Sequence, residues 1–201
     1  MLILGVCSCF TQEKESRMTT TIISNGKTAI TVNAKLISSL VYSLLLTVYF
    51  VLLDFATVCS IYGIDGLNMP LYSAKYFAYS PYGFSFVEAI LLSGLLKFIA
   101  LFVIAELILI ISELSPNTIV AGILSFVAVV ILVLSAGYFD TPINPITALT
   151  PDTYLKELNC INLFGEPVPA LYIALVSMVV LCIALWTVIV AVAPNILRRN
   201  R

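Results

Sequence analysis

Charge is what this sequence has least of. Only 10% of its 201 residues are Asp, Glu, Lys or Arg, whereas a soluble domain carries about 25% because something polar must cover its surface. Most of the exterior must therefore face something other than water. Histidine is missing altogether, which removes the commonest general base and the commonest metal ligand. A basic excess is also lacking. Ten Lys and Arg stand against eleven Asp and Glu, for a net charge of −1, and no nucleic-acid partner is expected, since binding one needs a basic face to neutralise phosphates. Cys7, Cys9, Cys59, Cys160 and Cys182 are odd in number and scattered, so they do not read as a disulfide framework. Cys7 and Cys9 have no second pair to complete a metal site. They read as small apolar side chains, and neither metal nor cofactor is expected.

Catalytic patterns are missing too. The chain has no Gly-x-x-x-x-Gly-Lys-Ser/Thr phosphate loop, no Gly-x-Ser-x-Gly elbow and no His-Glu-x-x-His helix, which sets aside nucleotide hydrolysis and the common hydrolase mechanisms. Asp54 stands alone at depth, where an intramembrane protease would need a second Asp. The expectation is a protein without catalytic residues.

What the chain does have is apolar length. Residues are 61% hydrophobic and the mean hydropathy is +1.08. Continuous apolar runs cover about 36–61, 84–112, 118–138 and 168–193. Each is about 20 residues or more, enough at 1.5 Å per residue to cross a hydrocarbon core of about 30 Å. Lipid admits only helices or closed barrels, and these runs lack the alternation of barrel strands. The fold class is therefore all-α: a polytopic helical membrane protein of about four spans in a bilayer, over 36–201. Residues 1–10 are apolar but too short to cross. Residues 11–35 are polar and read as a cytoplasmic loop.

Loop charges orient the spans. Seven of the ten Lys and Arg fall in 11–35 or at the C-terminus, two (Lys75 and Lys156) in the other loops, and Lys97 within a span. By the positive-inside rule both termini are cytoplasmic. Glu113 to Asn117 is then a tight cytoplasmic turn. The outer loops carry Tyr72, Tyr76, Tyr79 and Tyr82, which fit an interfacial aromatic belt. Thr150-Pro151-Asp152 looks like the start of a short helix over 152–159, with Thr150 as N-cap.

Asp54, Lys97 and Glu106 lie inside spans, where an ionised side chain costs about 2.5–3.5 kcal/mol. On the second span Glu88, Glu106 and Glu113 share one helical face, and Lys97 points the opposite way. Lys97 therefore needs a partner on another helix, and Asp54 is at a depth its stem can reach. The readings are an interhelical Asp54–Lys97 pair, a polar pathway for a substrate, or a solvated crevice.

Before the first span stand Phe10-Thr-Gln-Glu13-Lys-Glu15-Ser-Arg-Met18, Ile22-Ile23-Ser24-Asn25-Gly26-Lys27 and Asn33-Ala34-Lys35-Leu36. This order resembles the cytoplasmic loop of bacterial ABC exporter permeases of type two. There an acidic pair follows a membrane helix, then a Ser/Thr-Gly-Arg/Lys turn, then Ala-Lys at the next helix. Ile61-Tyr62-Gly63-Ile64-Asp65-Gly66, Ser80-Pro81-Tyr82, Glu113-Leu-Ser115-Pro116-Asn117 and Asn162-Leu163-Phe164-Gly165-Glu166-Pro167 are similar to later segments of that family. Members commonly have six spans, so the chain matches about their C-terminal two-thirds, and the resemblance implies that residues 1–10 are the stump of a further membrane helix. The Gly common after the acidic pair is replaced around Ser16 and Arg17. The resemblance implies a permease in a bacterial plasma membrane. Its implied partners are a separate nucleotide-binding ATPase, docked through Glu13, Glu15, Lys27 and Lys35, and a second membrane domain or another copy. The other reading of the chain is a non-transporting four-helix membrane protein, such as an assembly or immunity-type factor, whose polar N-terminal stretch meets lipid headgroups.

Overall fold

In the computed structural model, residues 2–16, 18, 28–138, 143–156, 159–163 and 166–199 are described. Two short helices, α1 (Leu2–Val6) and α2 (Ser8–Glu15), are followed by the long α3 (Thr28–Tyr62), α4 (Phe86–Leu114) and α5 (Thr118–Tyr138). Short helices α6 (Pro145–Leu149) and α7 (Asp152–Lys156) lead to strands β1 (Cys160–Leu163) and β2 (Glu166–Pro169), and α8 (Ala170–Arg199) ends the described chain. Among the described residues four helices are long and apolar enough to cross a membrane. The all-α, polytopic membrane class follows.

Exposure supports that class independently. Ile30, Leu45, Leu52, Leu91, Ile123, Phe126, Ile131, Val176 and Ile183 are each about 60% exposed or more. An apolar surface this extensive would drive association in water, but in lipid it is the side that faces solvent. Of the most apolar window of α4, 61% is buried, against 22% or less in the other three long helices.

Several boundaries differ from the sequence expectation. The first long helix begins at Thr28 rather than Leu36, because Val32 and Leu36, four residues apart, are both buried and continue one helical stripe through the polar residues between them. Residues 11–35 are thus helical at both ends rather than a simple loop. The stretch 1–10 is broken at Cys7, and α2 runs across its far boundary. The second span starts at Phe86 because Ser85 caps it. Glu88 Oε2 accepts the Ser85 N–H (2.8 Å), and the Glu88 N–H donates to Ser85 Oγ (3.3 Å), a reciprocal capping box. Val168 and Pro169, expected in the last span, belong to β2.

The chain divides into two compact units. One comprises 1–43, 102–135 and 180–201; the other comprises 44–101 and 136–179. The second unit has a core of Leu71, Phe86, Leu96, Tyr154, Leu155 and Leu171. Its loop after α3 opens at Gly63, whose φ of +71° and N–H donated to Cys59 O end that helix. The same loop returns to α4 through Leu71 N–H to Phe84 O (2.7 Å) and Phe86 N–H to Met69 O (3.2 Å). Strands β1 and β2 pair antiparallel, with Leu163 opposite Glu166 and Cys160 opposite Pro169.

Candidate functional site

In the second unit, α3 and α4 cross closely enough that a Cβ on Gly94 would lie 2.7 Å from Val51 Cγ2. One turn further along each helix stand Lys97 and Asp54, and the Lys97 ammonium donates to Asp54 Oδ2. The position of Lys97 opposite the acids of its own helix explains why its partner comes from α3. At 1.5 Å per residue, Lys97 lies about 16 Å from the start of α4 and Asp54 about 12 Å from the end of α3. The lysine side chain is 15% exposed and the aspartate 40%.

The pair borders a cavity of about 360 Å³. Its walls are mostly apolar, from Val58, Phe86, Ala89 and Ile90 on the two long helices and Leu71, Phe77, Leu149 and Leu155 on the loops. Thr57, Ser93, Tyr76, Thr150 and Asp152 add polar atoms. Ser93 Oγ donates to Ile90 O and Thr57 Oγ1 to Leu53 O, so both hydroxyls are anchored to their helices. Asp152 is exposed. The ion pair and the crevice, weighed as alternatives in the sequence, occur together.

The loop side of the cavity is ordered by short-range chemistry. Asn144 Oδ1 accepts the Ile146 N–H at 2.9 Å and caps α6, with Pro145 in its first turn. Helix α7 covers Asp152–Lys156; residues 157 and 158, part of the longer helix expected there, lie outside the described residues. Thr150 was expected as its cap, yet its hydroxyl donates to Thr147 O. The Lys156 ammonium lies 4.9 Å over the Tyr76 ring.

The first unit holds a different polar cluster. Lys35, near the start of α3, donates to Glu13 Oε2 of α2 at 2.7 Å, with side chains 11% and 25% exposed. Glu113 adds an electrostatic contribution at Lys35. Glu15 Oε1 accepts the Thr118 N–H at 2.7 Å, which places a carboxylate on the first turn of α5. Thr118 Oγ1 donates to Thr11 Oγ1 (3.0 Å) and Ser112 Oγ to Cys7 O (2.7 Å). Helix α2 is thereby tied to α3 and α5, and Cys7, just before it, to α4. Burial pushes the Cys9 thiol above its ordinary value of 9.0; Glu13 and Cys7 add to the shift and Lys35 opposes it.

Of the residues singled out in the sequence, the structure joins Glu13 to Lys35 and Asp54 to Lys97 and sets Glu15 on α5. Lys27 lies outside the described residues. Glu106 stands apart from both pairs: its side chain is fully buried in the first unit, beside the Cys182 thiol of α8. The Tyr76, Thr150 and Asp152 edge of the cavity was not anticipated from the sequence. Its signal was the cluster of turn residues in 142–153, which marks a structured loop without saying what it faces. Neither a protein-family model, nor a curated protein, nor a solved structure matches the chain.

Proposed function

We propose that the chain is a membrane-spanning permease subunit of an ABC exporter, coupled to a separate ATPase, in a bacterial plasma membrane with both termini cytoplasmic. A second membrane domain or another copy completes the path. The observation that carries this reading is the bracing of α2. A charged segment tied through Glu13 to α3 and through Glu15 to α5 transmits force to two long helices at once. Nucleotide-driven closure needs such a rigid element, because a loose segment would absorb the movement. In this reading Glu13, Glu15 and Lys35 are positioning residues, and contact with the ATPase falls to the stretch that carries Lys27.

The test is affinity purification of the full chain from its native cells, with mass spectrometry of the bound proteins. The expected result is an ATPase bearing a phosphate-binding loop, recovered at near-equal amounts, and lost with Lys27→Glu while the chain stays folded. Recovery of the chain without any ATPase would overturn the proposal. It would favour the second reading, a non-transporting four-helix membrane protein. What favours that reading now is that Glu13 and Lys35 are largely buried and paired with each other.

A further inference from the structure

We infer that the cavity of the second unit binds one organic cation with an apolar body, such as an alkylammonium. The inference rests on the proposed orientation, which puts this cavity on the outer side, and it deepens the exporter reading by naming a ligand class.

Three observations carry it. The first is charge. Three ionised groups line the cavity, Asp54, Asp152 and Lys97, and the only cation among them is already held by Asp54 Oδ2. A guest therefore meets the remaining oxygen of Asp54 and the exposed carboxylate of Asp152, and the one ammonium lining the space is already paired. The second is wall chemistry. Phe77, Phe86 and the Tyr76 ring border the space, and aromatic faces attract ammonium groups. Lys156 already occupies a face of Tyr76, at 4.9 Å, so the rings left to a guest are those of Phe77 and Phe86. The aliphatic residues beside them suit the apolar body. The third is the field of the unit. Its sequence carries seven acids against three lysines, whereas the first unit carries four acids against seven Lys and Arg. An acidic excess of this kind raises the concentration of cations around the unit. About 360 Å³ is near the lower end of small-molecule pockets, roughly 300–1,000 Å³, which suits a single short chain rather than a folded partner.

The same chemistry is available from two sources, a free cationic amphiphile or the ammonium head of a bilayer phospholipid. The experiment uses the full chain, purified in an uncharged maltoside detergent, with radiolabelled octyltrimethylammonium as probe and equilibrium dialysis as readout. We expect one saturable site per chain that octanoate does not compete for. Asp54→Asn should weaken binding about tenfold, as loss of a charge-assisted contact does. Asp152→Asn, at the exposed rim, should weaken it about threefold. Ile90→Trp should abolish it by filling the space. Because Asp152 is exposed, its variant reports on the site even where Asp54→Asn fails to fold. Phosphatidylethanolamine added at a few equivalents separates the sources: displacement of the probe identifies a lipid head, and retention identifies a free amphiphile. Equal binding by the native chain, Asp152→Asn and Ile90→Trp, or equal competition by octanoate, would overturn the inference. Probe binding needs no ATPase. Loss of the permease reading by co-purification and loss of this site by dialysis are therefore separate results.

Discussion

Lys35 and Glu13 are 22 residues apart in sequence and 2.7 Å apart in space, and removing either should show how firmly α2 is held. At that distance and an effective dielectric of about 20, the Coulomb attraction is about 6 kcal/mol. Desolvation of two largely buried groups takes back most of it. What remains is about 2 kcal/mol, within the range for a charged hydrogen bond. Glu13→Gln leaves an ammonium that is only 11% exposed, with Glu113 still in electrostatic reach, and should cost about 2 kcal/mol. Lys35→Met leaves a carboxylate with a quarter of its surface exposed, free to turn toward water, and should cost slightly less, about 1.5 kcal/mol. The double variant should cost about the same as the worse single one, giving a coupling near 1.5–2 kcal/mol. The assay is titration of the folded chain from mild detergent into SDS, followed by fluorescence of Trp186. That is the only tryptophan, and it lies 6.1 Å from Phe102 in the same unit as the pair. Costs that add to within about 0.5 kcal/mol would mean that the pair contributes nothing, and the bracing of α2 would have to rest on the contacts of Glu15 and Thr11 with Thr118.

Two further outcomes follow from the geometry. Gly94→Leu should destabilise the second unit by about 2 kcal/mol through overpacking against Val51, and Val51→Ala should recover part of the loss; an unchanged SDS midpoint for Gly94→Leu would mean the helices separate there without penalty. With the other four cysteines replaced by Ala, alkylation of Cys9 by N-ethylmaleimide should be slow at pH 7 and still rising above pH 9, because its raised pKa keeps the thiol neutral; a rate that levels off below pH 8.5 would contradict the burial seen here.

The spans were legible because lipid demands long apolar helices, and 118–138 was read to the residue. Their polar ends were not. Thr28 to Lys35 looks like a loop by hydropathy, and only the burial of Val32 and Leu36 shows it to be helix. Glu88 was grouped by periodicity with Glu106 and Glu113, although Ser85-x-x-Glu88 was readable as a capping box and explains it better. The hairpin of β1 and β2 was missed, since prolines at 167 and 169 argue against a central strand; a two-stranded ribbon has only edges and tolerates them. Asp54 and Lys97 could be matched from helical phase and depth. Glu13 and Lys35 could not, because nothing in the sequence fixes how α2 returns to α3.

Helix α3 has 35 residues, about 52 Å at 1.5 Å each, against a hydrocarbon core of about 30 Å. Lys35 and Asp54 are nineteen residues apart on it, which is about 28 Å, close to one core thickness. Each has an oppositely charged partner from another segment. A helix neutralised at both marks can settle deeper or shallower, or lean, without presenting a bare ion to acyl chains, so mismatch costs only fractions of a kcal/mol per Å. Its surplus length then acts as tolerance, allowing the protein to keep its seat as growth temperature and lipid composition change the thickness of the membrane around it.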